Sequence, residues 1–208
     1  MARLIEFVVI FLVLPAVFGF TRHRIPAIPA LWLLSAYCLT VLLRDRGFSR
    51  AQLWRSGSIR QVLPQVLGLF AFSASVIAAG VWIWAPNLFL NMPRTSPWVW
   101  AGIMLLYPVA SVYPQGIVYR AFLFRRYGDY FQGQAWVLVV VSAFAFAFVH
   151  IIFRNWLAVG LTFVGGLLFA LRYHRTGSLA TSSFEHALYG CLMFTIGLGN
   201  KFLHVGLR

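Results

Sequence analysis

Apolar runs of about 20 residues recur along the whole chain, the length needed to cross the ~30 Å hydrocarbon core of a bilayer. Inside that core no water satisfies the backbone, so only helices and closed barrels are viable. The short alternating segments of a barrel strand are absent, which leaves an all-α, polytopic integral membrane helix bundle. Composition agrees: of 208 residues 61% are hydrophobic and 10% charged, against about 25% charged in an average soluble domain. Seven spans fit best, near 4–20, 27–43, 62–85, 98–118, 134–153, 156–172 and 179–199, within a range of six to eight. Residues 1–208 read as a single transmembrane domain without an internal repeat. Arg3 and Glu6 precede the first apolar stretch and no small-residue cleavage site follows, so it reads as a retained span.

The net charge of +13 is no nucleic-acid signature here, because the arginines lie mostly between apolar runs and no base-stacking module accompanies them. They serve instead to orient the chain and to touch anionic lipid. With the N-terminus inside, eleven arginines fall on the inner side and six basic residues on the outer, which predicts a cytoplasmic N-terminus in the cell (inner) membrane. In the basic loop 44–61, Phe48, Leu53, Trp54 and Ile59 are interleaved with Arg50, Arg55 and Arg60. That pattern suits a short interfacial helix with its apolar side chains among the headgroups, or an orientation signal alone. Trp82, Trp84, Trp98 and Trp100 read as an aromatic belt. Ala71, Ser75 and Ala79, and likewise Gly166 and Ala170, have the spacing that lets helices pack closely. Cys38 and Cys191 are too isolated to suggest a disulfide framework.

Ionisable groups inside spans are costly and face a partner or a cavity. The chain has four acids, Glu6, Asp45, Asp129 and Glu185. Asp45 and Asp129 read as solvated, Glu6 as snorkelling from a helix entrance, and Glu185 as buried in the last span. Of the histidines, His23, His174 and His204 read as interfacial, whereas His150 and His186 lie within apolar segments. Either alone is more simply a packed, hydrogen-bonded residue. Together with Arg120 on a third span they form a candidate cavity set. A neutral imidazole can accept a proton or bind a metal, and a guanidinium can hold a carboxylate or polarise a carbonyl. Two histidines and a glutamate also make zinc a possible ligand on donor type.

These residues carry a resemblance. Gln115-Gly116-Ile117-Val118-Tyr119-Arg120, Phe146-Ala147-Phe148-Val149-His150 and Glu185-His186-Ala187-Leu188-Tyr189-Gly190 follow one another within 98–200. In order and spacing they resemble the CAAX protease and bacteriocin-processing (Abi) family of intramembrane endopeptidases. That family's pattern is Glu-Glu-x-x-x-Arg, Phe-x-x-x-His and His-x-x-x-Asn/Asp. The resemblance implies hydrolysis of a peptide bond in a membrane-anchored protein or peptide without a cofactor. A glutamate activates water, the histidines orient it or stabilise the oxyanion, and the arginine pairs with the glutamate motif.

The departures are specific. Gln115-Gly116 replaces the glutamate pair, and in relatives with Gln-Glu it is the sole glutamate that Gly116 replaces. Gln115 can hydrogen-bond water but not deprotonate it. Gly190 stands where Asn or Asp is expected. A mid-helix glycine costs about 1 kcal/mol against alanine, so helix propensity does not explain Gly116. Impaired or absent hydrolysis is therefore expected. An inactivating change at 116, a natural pseudoenzyme, and Glu185 as substitute carboxylate are the alternatives. The last is weakest, since adjacent helix residues point about 100° apart. A non-catalytic scaffold or immunity protein of the same fold, binding peptide or lipid, is the competing function. On the expected boundaries His150 and His186 would also differ in depth by over ~10 Å.

Overall fold

The computed structural model describes residues 1–21, 26–131 and 134–199. His23 and His204 lie outside the described residues. Among the described residues, seven long helices account for the apolar runs: α1 (Ala2–Thr21), α2 (Ala27–Arg44), α3 (Gly57–Trp84), α4 (Pro97–Phe131), α5 (Ala135–Phe153), α6 (Trp156–Thr176) and α7 (Leu179–Thr195). Among the described residues, α1 to α6 are each long and apolar enough to cross a membrane. The chain is thus a multi-pass helical membrane protein. Helix α7, the seventh expected span, is shorter, with 17 residues, or about 25 Å. It lies within the bundle, against α3, α4, α6 and two short helices (Ala51–Trp54 and Asn91–Thr95).

Helix α4 departs most from regular geometry, and its prolines explain part of this. It contains two widened turns, Pro108–Val112 and Ile117–Phe122, in which the hydrogen-bond ladder runs i to i+5. Pro114 has no N–H for the carbonyl of Ala110, four residues earlier. The Trp32 indole N–H of α2 donates to that carbonyl at 3.0 Å. The second wide turn is served from α5, where Ser142 Oγ donates to the Tyr119 carbonyl at 2.6 Å. Side chains thus satisfy backbone groups that lipid could not. All six residues Ile117–Phe122 are buried.

Helices α5 and α6 are joined by a tight turn. Arg154 takes a left-handed conformation (φ 50°), and the Asn155 side chain caps α6 by accepting from the N–H groups of Leu157 and Ala158. Gly166 lets α6 approach α5 so closely that a Cβ there would stand 3.0 Å from Ala143 Cα. The small-residue reading holds there and fails on α3. Ala71, Ser75 and Ala79 face outward, with the Ser75 hydroxyl bonded to the Ala71 carbonyl of its own helix.

Other local expectations are corrected. In the 44–61 segment, Phe48 and Leu53 are buried in the protein core instead of headgroups, because the Ala51–Trp54 helix docks on the bundle. There Trp54 stacks on Tyr113 with ring centroids 4.9 Å apart, and Tyr113 donates to the Leu53 carbonyl. Glu6 does not snorkel: it accepts from Tyr37 and Tyr127 hydroxyls and from Arg126 Nε (2.8 Å), joining α1, α2 and α4. Trp82, Trp84 and Trp98 are exposed as a belt requires, whereas Trp100 donates to Thr195 within the bundle. Cys38 and Cys191 are free thiols.

Candidate active site

Arg120 lies on the second wide turn of α4 and is 1% exposed. Its guanidinium carbon sits 4.6 Å from the ring centroid of Phe146 on α5 and 5.3 Å from that of Phe169 on α6. On α7, the His186 ring stacks on Phe169 (centroids 4.5 Å) and meets Phe146 edge-on (5.3 Å). Arg120 Nη1 approaches His186 Nδ1 at 3.5 Å, a long contact in which the guanidinium is the donor. His150 follows on α5, one turn beyond Phe146, with its ring 4.7 Å from that residue's. Arg120, His150 and His186, three of the six expected site residues, therefore gather around Phe146.

The expected depth mismatch between the histidines does not occur. His150 folds back along its helix, its Nδ1 donating to the Phe146 carbonyl at 2.6 Å. This brings its ring toward the level of His186. On α7, Ser178 caps the helix start and also bonds the Arg55 carbonyl, fixing α7 in depth. The two hydrogen bonds define tautomers for the neutral rings. His150 has Nδ1 protonated and Nε2 as an acceptor, and His186, accepting at Nδ1, carries its proton on Nε2.

Both histidines and Gln115 line a cavity of about 1440 Å³. Its walls are mostly apolar residues of α1 to α7, and the polar atoms come from Tyr107, Ser111, Gln115, Tyr119, His150, His186 and Tyr189 among others. Gln115 Nε2 donates to Ser111 Oγ at 2.7 Å, while its Oε1 is buried without a partner. A site of this form can receive an amphiphilic chain and present a water acceptor and an N–H donor at one end.

The family model for type II CAAX prenyl endopeptidase Rce1-like proteins matches residues 93–192. This segment is Rce1-like. No curated relative and no solved structure matches the chain. The Rce1-like segment contains every motif residue singled out above, Gln115, Gly116, Arg120, His150, Glu185 and His186.

Within that segment Glu185 does not join the histidines. It is 0% exposed and bound by Arg172 of α6, with Nε to Oε2 at 2.8 Å and Nη2 to Oε1 at 3.2 Å. The helical rotation between adjacent positions turns Glu185 toward α6, whereas His186 faces Arg120. Among the described residues no three His, Cys, Asp or Glu side chains converge.

Both glycine departures are filled by neighbours. A Cβ on Gly116 would stand 2.8 Å from Leu179 Cδ1 and 3.0 Å from Ser183 Oγ. A Cβ on Gly190 would stand 2.6 Å from the Tyr107 hydroxyl oxygen and 2.8 Å from its Cζ. Leu179, Ser183 and His186 recur at i, i+4 and i+7 and present one stripe of α7 to the 116/120 face of α4. A side chain at either position would thus meet its neighbours at the first carbon, Leu179 and Ser183 at 116 and Tyr107 at 190. Sequence reasoning missed Tyr107, Arg172, Leu179 and Ser183. Arg172 had one usable signal, an arginine at a span end in a chain with only four acids.

Proposed function

We propose that the chain is an Rce1-like intramembrane endopeptidase scaffold that receives a membrane-anchored protein or peptide in its cavity and whose hydrolysis is severely impaired. The observation supporting this reading is the absence of a carboxylate beside the histidines: Gly116 stands under Leu179, and Glu185 is held by Arg172. His150 Nε2 can orient a water molecule, and the His186 Nε2–H can donate to the carbonyl oxygen of a scissile bond. Among the described residues no carboxylate is available to take the water proton. Passing it to His150 would place a second positive charge near Arg120 in apolar surroundings, where charge repulsion is weakly screened. The reading takes the cell membrane as the location and the cytoplasm as the side of the N-terminus.

The test uses the full chain in liposomes and a fluorescent prenylated peptide with a free C-terminus. The peptide is expected to bind, with cleavage no faster than in empty liposomes. Gly116→Glu combined with Leu179→Ala, which makes room for the new side chain, should raise cleavage by about 10²-fold or more. Efficient cleavage by the unaltered chain, or no gain in the double variant, overturns the impaired-enzyme reading. A non-catalytic scaffold of the same fold shares the binding step. It is supported by the filled positions at 116 and 190, and it predicts that His150→Ala and His186→Ala preserve biological activity.

A further inference from the structure

We infer that Arg120 is a carboxylate-binding residue whose anion is none of the chain's own acidic side chains. Every acidic side chain in the sequence is placed elsewhere. Glu6 binds Arg126, Asp45 binds Arg125, Glu185 binds Arg172, and Asp129 is exposed in the turn Gly128–Phe131. Arg120 is more deeply buried than Arg172, and its Nε and Nη2 have no hydrogen-bond partner. An unpaired buried charge is costly, and two aromatic faces offset only part of that cost.

The identity of the two orphaned atoms specifies the ligand. Nε and Nη2 form the side-on edge of a guanidinium, which matches the two oxygens of a carboxylate. The same pair of nitrogens binds Glu185 from Arg172 and Asp45 from Arg125. At Arg120 the edge is complete and the acid is missing. Two further unpartnered polar atoms, Ser183 Oγ and Gln115 Oε1, lie on the facing stretches of α7 and α4. Ser183 can donate to an anion, and Gln115 Oε1 can accept from the acid form or from water. Arg120 is one layer behind the cavity wall. The wall there includes His186, Phe146 and Phe169, and the Arg120–His186 contact of 3.5 Å is long enough to yield to a stronger acceptor. The carboxylate can reach this place as a small acid from water or as the head of an amphiphile whose tail lies in the cavity.

This inference goes beyond the proposed function and does not depend on peptide cleavage or peptide binding. The measurement is thermal unfolding of the purified full chain in detergent with formate, acetate or laurate, against chloride at matched ionic strength and against dodecanol. A carboxylate should give a saturable rise in Tm of a few degrees. Formate and acetate acting alone identify a water-borne acid, and a response to laurate without dodecanol identifies an amphiphile. The rise should vanish in Arg120→Gln. It should also vanish in Gly116→Glu/Leu179→Ala, where an internal carboxylate four residues before Arg120 competes for the same edge. The double variant tests the idea if Arg120→Gln does not fold. No carboxylate response in the unaltered chain, or a response that persists in a folded variant, overturns the inference.

Discussion

Arg172 and Glu185 form a bidentate ion pair between α6 and α7, with nitrogen–oxygen distances of 2.8 and 3.2 Å and the glutamate fully buried. The pair removes from the cavity the one carboxylate adjacent in sequence to His186 and uses it to join two helices. Breaking such a pair by deleting one partner leaves a buried charge and costs about 3–5 kcal/mol. Glu185→Ala and Arg172→Ala should each lower thermal stability sharply in detergent. Arg172→Met with Glu185→Leu should recover most of the loss. A fully active-site role for Glu185 would instead leave stability nearly unchanged in the single variants.

At Gly190 the Tyr107 ring occupies the space where the family pattern carries Asn or Asp. Gly190→Asn should therefore destabilise the protein by about 1–3 kcal/mol through overpacking. Tyr107→Ala in the same chain should relieve the clash, so the double variant unfolds at a higher temperature than Gly190→Asn alone. Thermal unfolding of the two single variants and the double variant measures the coupling.

The pH response of one surface pair has a defined sign. Asp45 accepts two hydrogen bonds from Arg125 and one from the Gly47 N–H, and these hold its carboxyl at about 2, below the ordinary 3.8. A depressed folded-state value stabilises the fold above the unfolded value and loses that contribution as pH falls through the folded one. The Tm difference between the unaltered chain and Asp45→Asn should be full at pH 6 and shrink between about pH 4 and pH 2. Because the pair is exposed, the difference should also diminish at high salt.

The Trp32–Ala110 hydrogen bond compensates for the missing N–H of Pro114. Trp32→Phe keeps most of the apolar surface and leaves that carbonyl without its donor. A loss of about 1–3 kcal/mol is expected. Hydrogen exchange should show faster opening around Pro108–Val112, with the α5–α6 pair unaffected.

The membrane helices were readable because length and apolarity are local properties, and each run had to satisfy its own backbone. Arg120, His150 and His186 were readable for a related reason: ionisable residues are conspicuous in apolar segments. Their convergence was less so. The expected gap in depth between the histidines assumed side chains that project straight from their helices. In the fold, His150 turns back on Phe146 and Ser178 fixes the start of α7. Phe48 and Leu53 were misplaced because the mixed pattern of 44–61 suits a headgroup layer and a docking surface alike.

From sequence alone follow a helical membrane bundle, three ordered motifs and the loss of the expected glutamate at 116 and of Asn or Asp at 190. Tertiary structure alone decides which acid answers which arginine, since Glu185 turns to Arg172 and Arg120 keeps an empty fork. It also decides that the two glycine positions are filled by Leu179, Ser183 and Tyr107. The physical reason is common to both: charge pairing and close packing depend on where side chains from distant segments point, and one-dimensional spacing specifies only the face and turn from which each begins.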